Sequence, residues 1–149
     1  MHERLRFSDE VIVDGVKEEG NVILAVIAGL VASVLGAVLW FSVTLATATH
    51  WGLMALAVGA LVGLAIRFAG GGTSPLFGLL GAVYTLLSCL AGEVMVAIQF
   101  STSNQMDFYA VLVRTDLAQL VSNLAMQTSP LMYLIYGIAI FEGYRLSIR

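Results

Sequence analysis

The chain has 149 residues, of which 59% are hydrophobic and only 11% charged, and its mean hydropathy is +0.92. That balance excludes the outside of a soluble domain and predicts an all-α integral membrane protein, with one membrane domain over residues 1–149. A net charge of -3 excludes the basic stripe that nucleic acid requires, and the single cysteine, Cys89, excludes an intrachain disulfide and any multi-cysteine zinc site.

Residues 1–21 form an acidic segment in which Glu3, Asp9, Glu10, Asp14, Glu18 and Glu19 outnumber Arg4, Arg6 and Lys17. The uncharged run that follows predicts a first span over about 22–45, since about 20 apolar residues cross a hydrocarbon core of about 30 Å. "ATA" at Ala46 to Ala48 has the form of a signal-peptide cleavage site. The apolar run is too long for a signal peptide, however, and an acidic segment stands where a basic one belongs.

A second span is expected over about 52–68, ended by the three glycines of "AGGGTSP". "TSPL" occurs twice and holds both prolines, at Ser74-Pro75 and Ser129-Pro130. A serine N-cap followed by proline at the first helical position starts a helix without losing a backbone donor. Spans three and four are therefore expected over about 75–99 and 130–146. On opposite faces the two repeats would suit an inverted duplication. The residues after them share little beyond apolarity, so helix-start chemistry is the preferred reading.

Between these spans, Met106, Ala110, Val113, Leu117, Leu120, Val121 and Leu124 recur every three or four residues. They predict an amphipathic helix over about 105–126, interrupted at Thr115-Asp116, on the outer face of a four-helix transmembrane bundle. A fifth span would bury Asp107, Arg114 and Asp116 at roughly 2.5 to 3.5 kcal/mol each. Arg4, Arg6, Lys17, Arg67, Arg145 and Arg149 fall on one side of this topology and only Arg114 on the other, which predicts that both termini are cytoplasmic.

Close packing in lipid relies on small residues. Gly29 and Gly36 in span one, Gly59 and Gly63 in span two, and Gly78, Gly81 and Gly92 in span three recur at helical spacing. "GALVG" matches a dimerisation motif, but faces on three helices favour contacts within one chain.

Ionisable groups inside a bilayer are the first place to seek function. Arg67 lies roughly 22 Å along span two and Glu142 roughly 18 Å along span four. An ion pair between them is expected to lock the two spans, the alternative being that each snorkels separately to the interface. Glu93 lies roughly 27 Å along span three, near the outer boundary. It reads as an ion or proton site or, preferably, as an interfacial carboxylate bonded to His50 or Arg114.

Other chemistry finds less support. The glycine-rich turn lacks the Lys-Ser/Thr of a phosphate loop. Cys89 has no histidine near it in sequence, and His2 and His50 fall on opposite faces, so no nucleophile-base pair, metal cluster or cofactor site is expected. Trp40, Trp51, Tyr109, Tyr133, Tyr136 and Tyr144 read as belt and packing residues.

Three stretches carry a family resemblance. They are Ala65, Ile66, Arg67, Gly70 and Gly72; Phe77, Gly78, Gly81 and Ala82; and Gly137, Ile138, Ala139, Glu142, Gly143, Tyr144 and Arg145. The chain resembles a family of small four-span bacterial membrane proteins of uncharacterised activity, marked by an AVRxxGxG turn, an FGxxGA third span and a GIAxYEGYK-like ending. The resemblance covers most of 21–99 and 129–149. It departs at Glu93, where the family more often has asparagine, and at Arg145, where lysine is common. It implies a bacterial cytoplasmic membrane and the four-span fold, without supplying an activity.

The sequence thus predicts a non-enzymatic scaffold or accessory subunit that docks a copy of itself or another membrane protein within the lipid bilayer. The alternative is an oligomeric channel or small transporter using Arg67, Glu142 and Glu93.

Overall fold

A computed structural model of the chain describes residues 20–48, 52–101, 113 and 116–148. Its elements are α1 (Val22–Thr47), α2 (Leu53–Gly70), α3 (Pro75–Ser101), α4 (Leu117–Gln127) and α5 (Pro130–Ile148). Four of them, α1, α2, α3 and α5, are long and apolar enough to cross a membrane. The acidic segment 1–19 lies outside the described residues, as does most of the expected amphipathic helix before Thr115. Of that helix, α4 begins where Asp116 caps it, its Oδ1 accepting from the Ala118 N–H at 3.0 Å.

Local chemistry sets the other ends. Asn21 caps α1 by accepting from the Leu24 N–H at 3.2 Å. Its own N–H donates to the Gly70 carbonyl at 2.8 Å, tying the start of α1 to the end of α2. Gly71 stops α2 with φ at 63° and donates its N–H to the Arg67 carbonyl at 2.9 Å; a side chain at that φ would be strained, so glycine ends this helix at least cost. At Pro75 and Pro130, α3 and α5 begin, and the carbonyls of Ser74 and Ser129 accept the first bonds, from Phe77 at 3.1 Å and Met132 at 3.0 Å. Proline is suited to that position because the N–H it lacks would have no partner there.

Packing places the helices in a ring in which α1 touches α2 and α3, and α5 touches α2 and α3, while α2 and α3 also meet across the middle. Chain direction follows from paired contacts. Gly59 faces Ala139 and Gly63 faces Gly143, so α2 and α5 run parallel; Gly29 faces Tyr84 and Gly92 faces Trp40, so α1 and α3 run parallel. The two described chain ends, Gly20 near Gly70 and Ile148 against Gly78, consequently lie at the glycine-turn end of the bundle.

The core between the helices holds Trp40, Val58, Val62, Ile66 and Phe77. The opposite face of α1, with Ile23, Ile27, Leu30, Val34 and Leu35, is more than half exposed at each of these positions. Large apolar side chains on the outside, with glycine at the closest helix contacts, are the arrangement expected where the solvent is itself apolar.

One polar contact crosses the α1–α3 seam. Ser88 Oγ donates to the Ser33 carbonyl at 2.8 Å, in the space left because Gly36 has no Cβ. Ser88→Ala is expected to cost about 1 kcal/mol of folding stability, the usual size of an interhelical hydrogen bond in lipid. Reversible unfolding in mixed micelles checks this, and an unchanged midpoint would remove the bond from the account of the seam.

Candidate functional site

Glu93 lies on α3 between Cys89 and Gly92 on one side and eight further helical residues on the other. It is half-buried, and Tyr136 Oη of α5 donates to its Oε1 at 2.6 Å. The indole of Trp40, from α1, stands over Tyr136 with ring centroids 6.0 Å apart and planes inclined by 43°. The tyrosine that bonds the carboxylate is thus itself packed by a third helix. Trp40 is 1% exposed, and its Nε1 has no hydrogen-bond partner among the described residues.

Beside this group lies a cleft of about 290 Å³. Leu86, Leu90 and Glu93 of α3 form one wall, and Tyr133, Tyr136, Gly137 and Ile140 of α5 form the other. Val121 and Ala125 of α4, with Thr128, close one end. A recess of about 40 Å³ runs on between Cys89, Glu93 and Tyr136. The cleft opens sideways, because Leu86, Leu90, Tyr133 and Gly137 are exposed. Tyr133 Oη donates to the Ala125 carbonyl, which pins α4 at that end of the cleft.

No family model, curated protein or solved structure matches this chain. Its chemistry has to be read from its own side chains. Among the described residues no group of three or more His, Cys, Asp or Glu side chains is placed to hold a metal ion. Cys89 is a buried free thiol.

Arg67 and Glu142 are not brought into an ion pair among the described residues. The contacts that put Gly59 beside Ala139 and Gly63 beside Gly143 make Arg67 level with Ser147 and Glu142 level with Val62. Their backbone positions are thus about five residues, or ~7.5 Å, apart along the bundle. Arg67 is exposed and Glu142 half-buried. A double-mutant cycle with Arg67→Glu and Glu142→Arg is expected to give no coupling beyond ~0.5 kcal/mol, the scatter of independent sites; a larger favourable coupling would restore the pair. His50 and Arg114, the expected partners of Glu93, lie outside the described residues.

All seven packing glycines, Gly29, Gly36, Gly59, Gly63, Gly78, Gly81 and Gly92, are buried against other helices of the same chain. Gly137 differs. It is exposed, and a Cβ there would meet nothing within 4 Å.

The sequence reading missed Tyr136, Tyr133 and Gly137 as site residues. Their signal was spacing, since Tyr133, Tyr136, Gly137 and Ile140 follow the i, i+3, i+4, i+7 pattern of a single helix face.

Proposed function

We propose that this chain is a four-span protein of a bacterial cytoplasmic membrane, both termini inside, that binds a small lipid-soluble molecule in the cleft between α3 and α5. The observation that carries the reading is a carboxylate, hydrogen-bonded by a tyrosine, in the wall of a largely apolar cleft open to the side of the bundle. Binding sites of this type combine apolar walls with a few placed polar groups.

The volume fits one alkyl chain or one ring system. It is at the small end of the range of about 300 to 1,000 Å³ for drug-sized ligands, and far too narrow for a partner helix of about 10–12 Å diameter. The small-residue faces offered for docking another subunit are occupied within the chain, so binding is favoured over the scaffold reading. The positive-inside rule supports the orientation, as Arg67 and Arg145 lie in the last turns of α2 and α5 at one end.

Gly137→Phe provides the test. A side chain at this position enters open space at the cleft, so the fold is retained while the volume is filled. Native mass spectrometry of wild type released from nanodiscs loaded with dodecanol should show one retained adduct per chain, absent from Gly137→Phe. Adducts equal in number on both proteins, or none on either, would sink the cleft as a binding site.

A further inference from the structure

Granting that the cleft is a binding site, we infer that its occupant is the tail of a monoacyl amphiphile supplied by one leaflet, the one opposite the chain ends. The orientation proposed above makes that leaflet the outer one. The cleft is one monolayer deep, and backbone packing shuts it at mid-membrane.

On α3 the lining runs from Leu86 to Glu93, and on α5 from Tyr133 to Ile140. Leu86 is eleven residues past Pro75, roughly 16 Å from the chain-end side of the bundle, at 1.5 Å per residue. Ile140 is ten residues past Pro130, roughly 15 Å from the other side. The two helices run in opposite directions, with Thr85 beside Gly143 and Gly78 beside Ile148. Both counts therefore put the inner end of the cleft at one level, halfway through a hydrocarbon core of about 30 Å.

Beyond that level the seam is closed. Thr85, next to Leu86, stands against Gly143, one turn on from Ile140, and a Cβ on Gly81 would lie 2.4 Å from the Gly143 carbonyl oxygen. Thr85 and Ser147 are fully buried there. α3 and α5 thus meet backbone to backbone in the half of the bundle that holds the chain ends. In the other half long side chains space them, and Tyr136 reaches Glu93 across the gap. A tail hanging from the chain-end leaflet meets the glycine seam and not the cleft.

The end away from the seam is held by α4. Val121 and Ala125 close it with Thr128, and Tyr133 ties α4 there through the Ala125 carbonyl. Entry is therefore sideways, past Leu86, Leu90 and Gly137, which are exposed, from the acyl chains of the same monolayer. The volume of about 290 Å³ takes one chain. A two-chain lipid would have to splay, one tail between the walls and the other outside, whereas a monoacyl amphiphile fills the cleft without ordering a second tail.

The experiment uses the full chain with a carboxy-terminal tag in membrane vesicles of both orientations, sorted by whether protease reaches the tag. The probe is dodecylphosphocholine with a diazirine at the end of its chain, added from outside at low molar ratio to lipid. Irradiation follows at once, before the zwitterionic head group crosses the core, where its charges would lose their hydration. Labelled peptides are read by mass spectrometry, and label on the exposed face of α1 in both vesicle types shows that the probe was delivered. Cleft label, around Leu86 and Ile140, is expected where the tag is shielded. It is expected to be absent where the tag is open to protease, and absent from Gly137→Phe in both.

Equal cleft label from both sides, lost in Gly137→Phe, would overturn the leaflet while leaving the cleft as a binding site, and so would cleft label from the tag side alone. Cleft label that survives Gly137→Phe would remove the cleft reading too. No cleft label from either side would overturn the monoacyl occupant, and the dodecanol adducts then decide whether the cleft itself stands.

Discussion

Gly81→Val is expected to destabilise the bundle by about 3 kcal/mol or more. A Cβ on Gly81 would stand 2.1 Å from Ser147 Oγ and 2.4 Å from the carbonyl oxygen of Gly143. The second of these is backbone and has no rotamer by which to withdraw, so α3 and α5 have to move apart as units. Across the same seam Gly143 leaves room for Thr85, whose Oγ1 would lie 2.3 Å from a Cβ there. Overfilling a packed interior ordinarily costs about 1 to 3 kcal/mol. Here the displaced element is a whole helix, and the loss is expected at or above the upper end of that range, a large fraction of the about 5 to 15 kcal/mol by which a protein is ordinarily stable.

Gly78 provides the comparison. A Cβ there would meet Ile148 Cδ1 at 2.5 Å and the Tyr144 ring at 2.6 Å, which are ends of side chains that can swing aside. Gly78→Ala should cost well under half as much as Gly81→Ala in unfolding titrations from mixed micelles. Equal costs would show that α3 and α5 do not approach through their backbones at Gly81.

Trp40→Ala is the second large effect expected. The indole is almost wholly buried, packs on Tyr136 and covers Gly92, where a Cβ would lie 2.9 Å from its ring. Truncating a buried tryptophan costs about 3 to 5 kcal/mol. Part of that cost is offset at this position, because the substitution also removes Nε1, a buried donor without a partner among the described residues and hence a standing penalty of about 1 to 3 kcal/mol. Trp40→Phe is therefore expected to be nearly neutral, since it keeps most of the ring and loses the donor. If Trp40→Phe proves as damaging as Trp40→Ala, the indole nitrogen is bonded after all. In Trp40→Ala the Tyr136 ring also loses its backing, so the variant should bind cleft ligands more weakly than its stability alone accounts for.

The fold was legible wherever local chemistry decides. The uncharged run after Asn21, the glycines at 70–72 and the two Ser-Pro pairs each mark a helix end by backbone rules, and α3 and α5 begin at those prolines. Where the observed ends differ they do so by one or two residues, with α1 reaching Thr47 and α2 reaching Gly70. Those extra residues reach as far as the caps at Ala48 and Gly71, both in the left-handed region.

The site was less legible because it depends on register between helices, which no single helix encodes. Thr85 lies beside Gly143; eight residues on in α3 and seven back in α5 bring Glu93 to Tyr136. Counting each span from its own start aligned Gly52 with Pro130, whereas Gly52 faces Met132 and Ile135. That difference of about two residues enlarges the offset between Arg67 and Glu142. A carboxylate and a tyrosine forty-three residues apart carry no shared signal until the small residues fix how the helices cross.

Three buried hydroxyls bear on whether the bundle can conduct. Thr85 Oγ1 donates to the Gly81 carbonyl at 2.7 Å, Ser147 Oγ to the Gly143 carbonyl at 2.7 Å, and Ser88 Oγ to the Ser33 carbonyl at 2.8 Å. A relay that hands protons from one oxygen to the next needs hydroxyls that can turn and exchange partners, and each of these has its hydrogen engaged by a peptide oxygen. None of these three hydroxyls is therefore set to pass a proton on. A cell that makes it in quantity is accordingly expected to keep its proton gradient, and dissipation of that gradient on expression would show that protons find another route through the bundle.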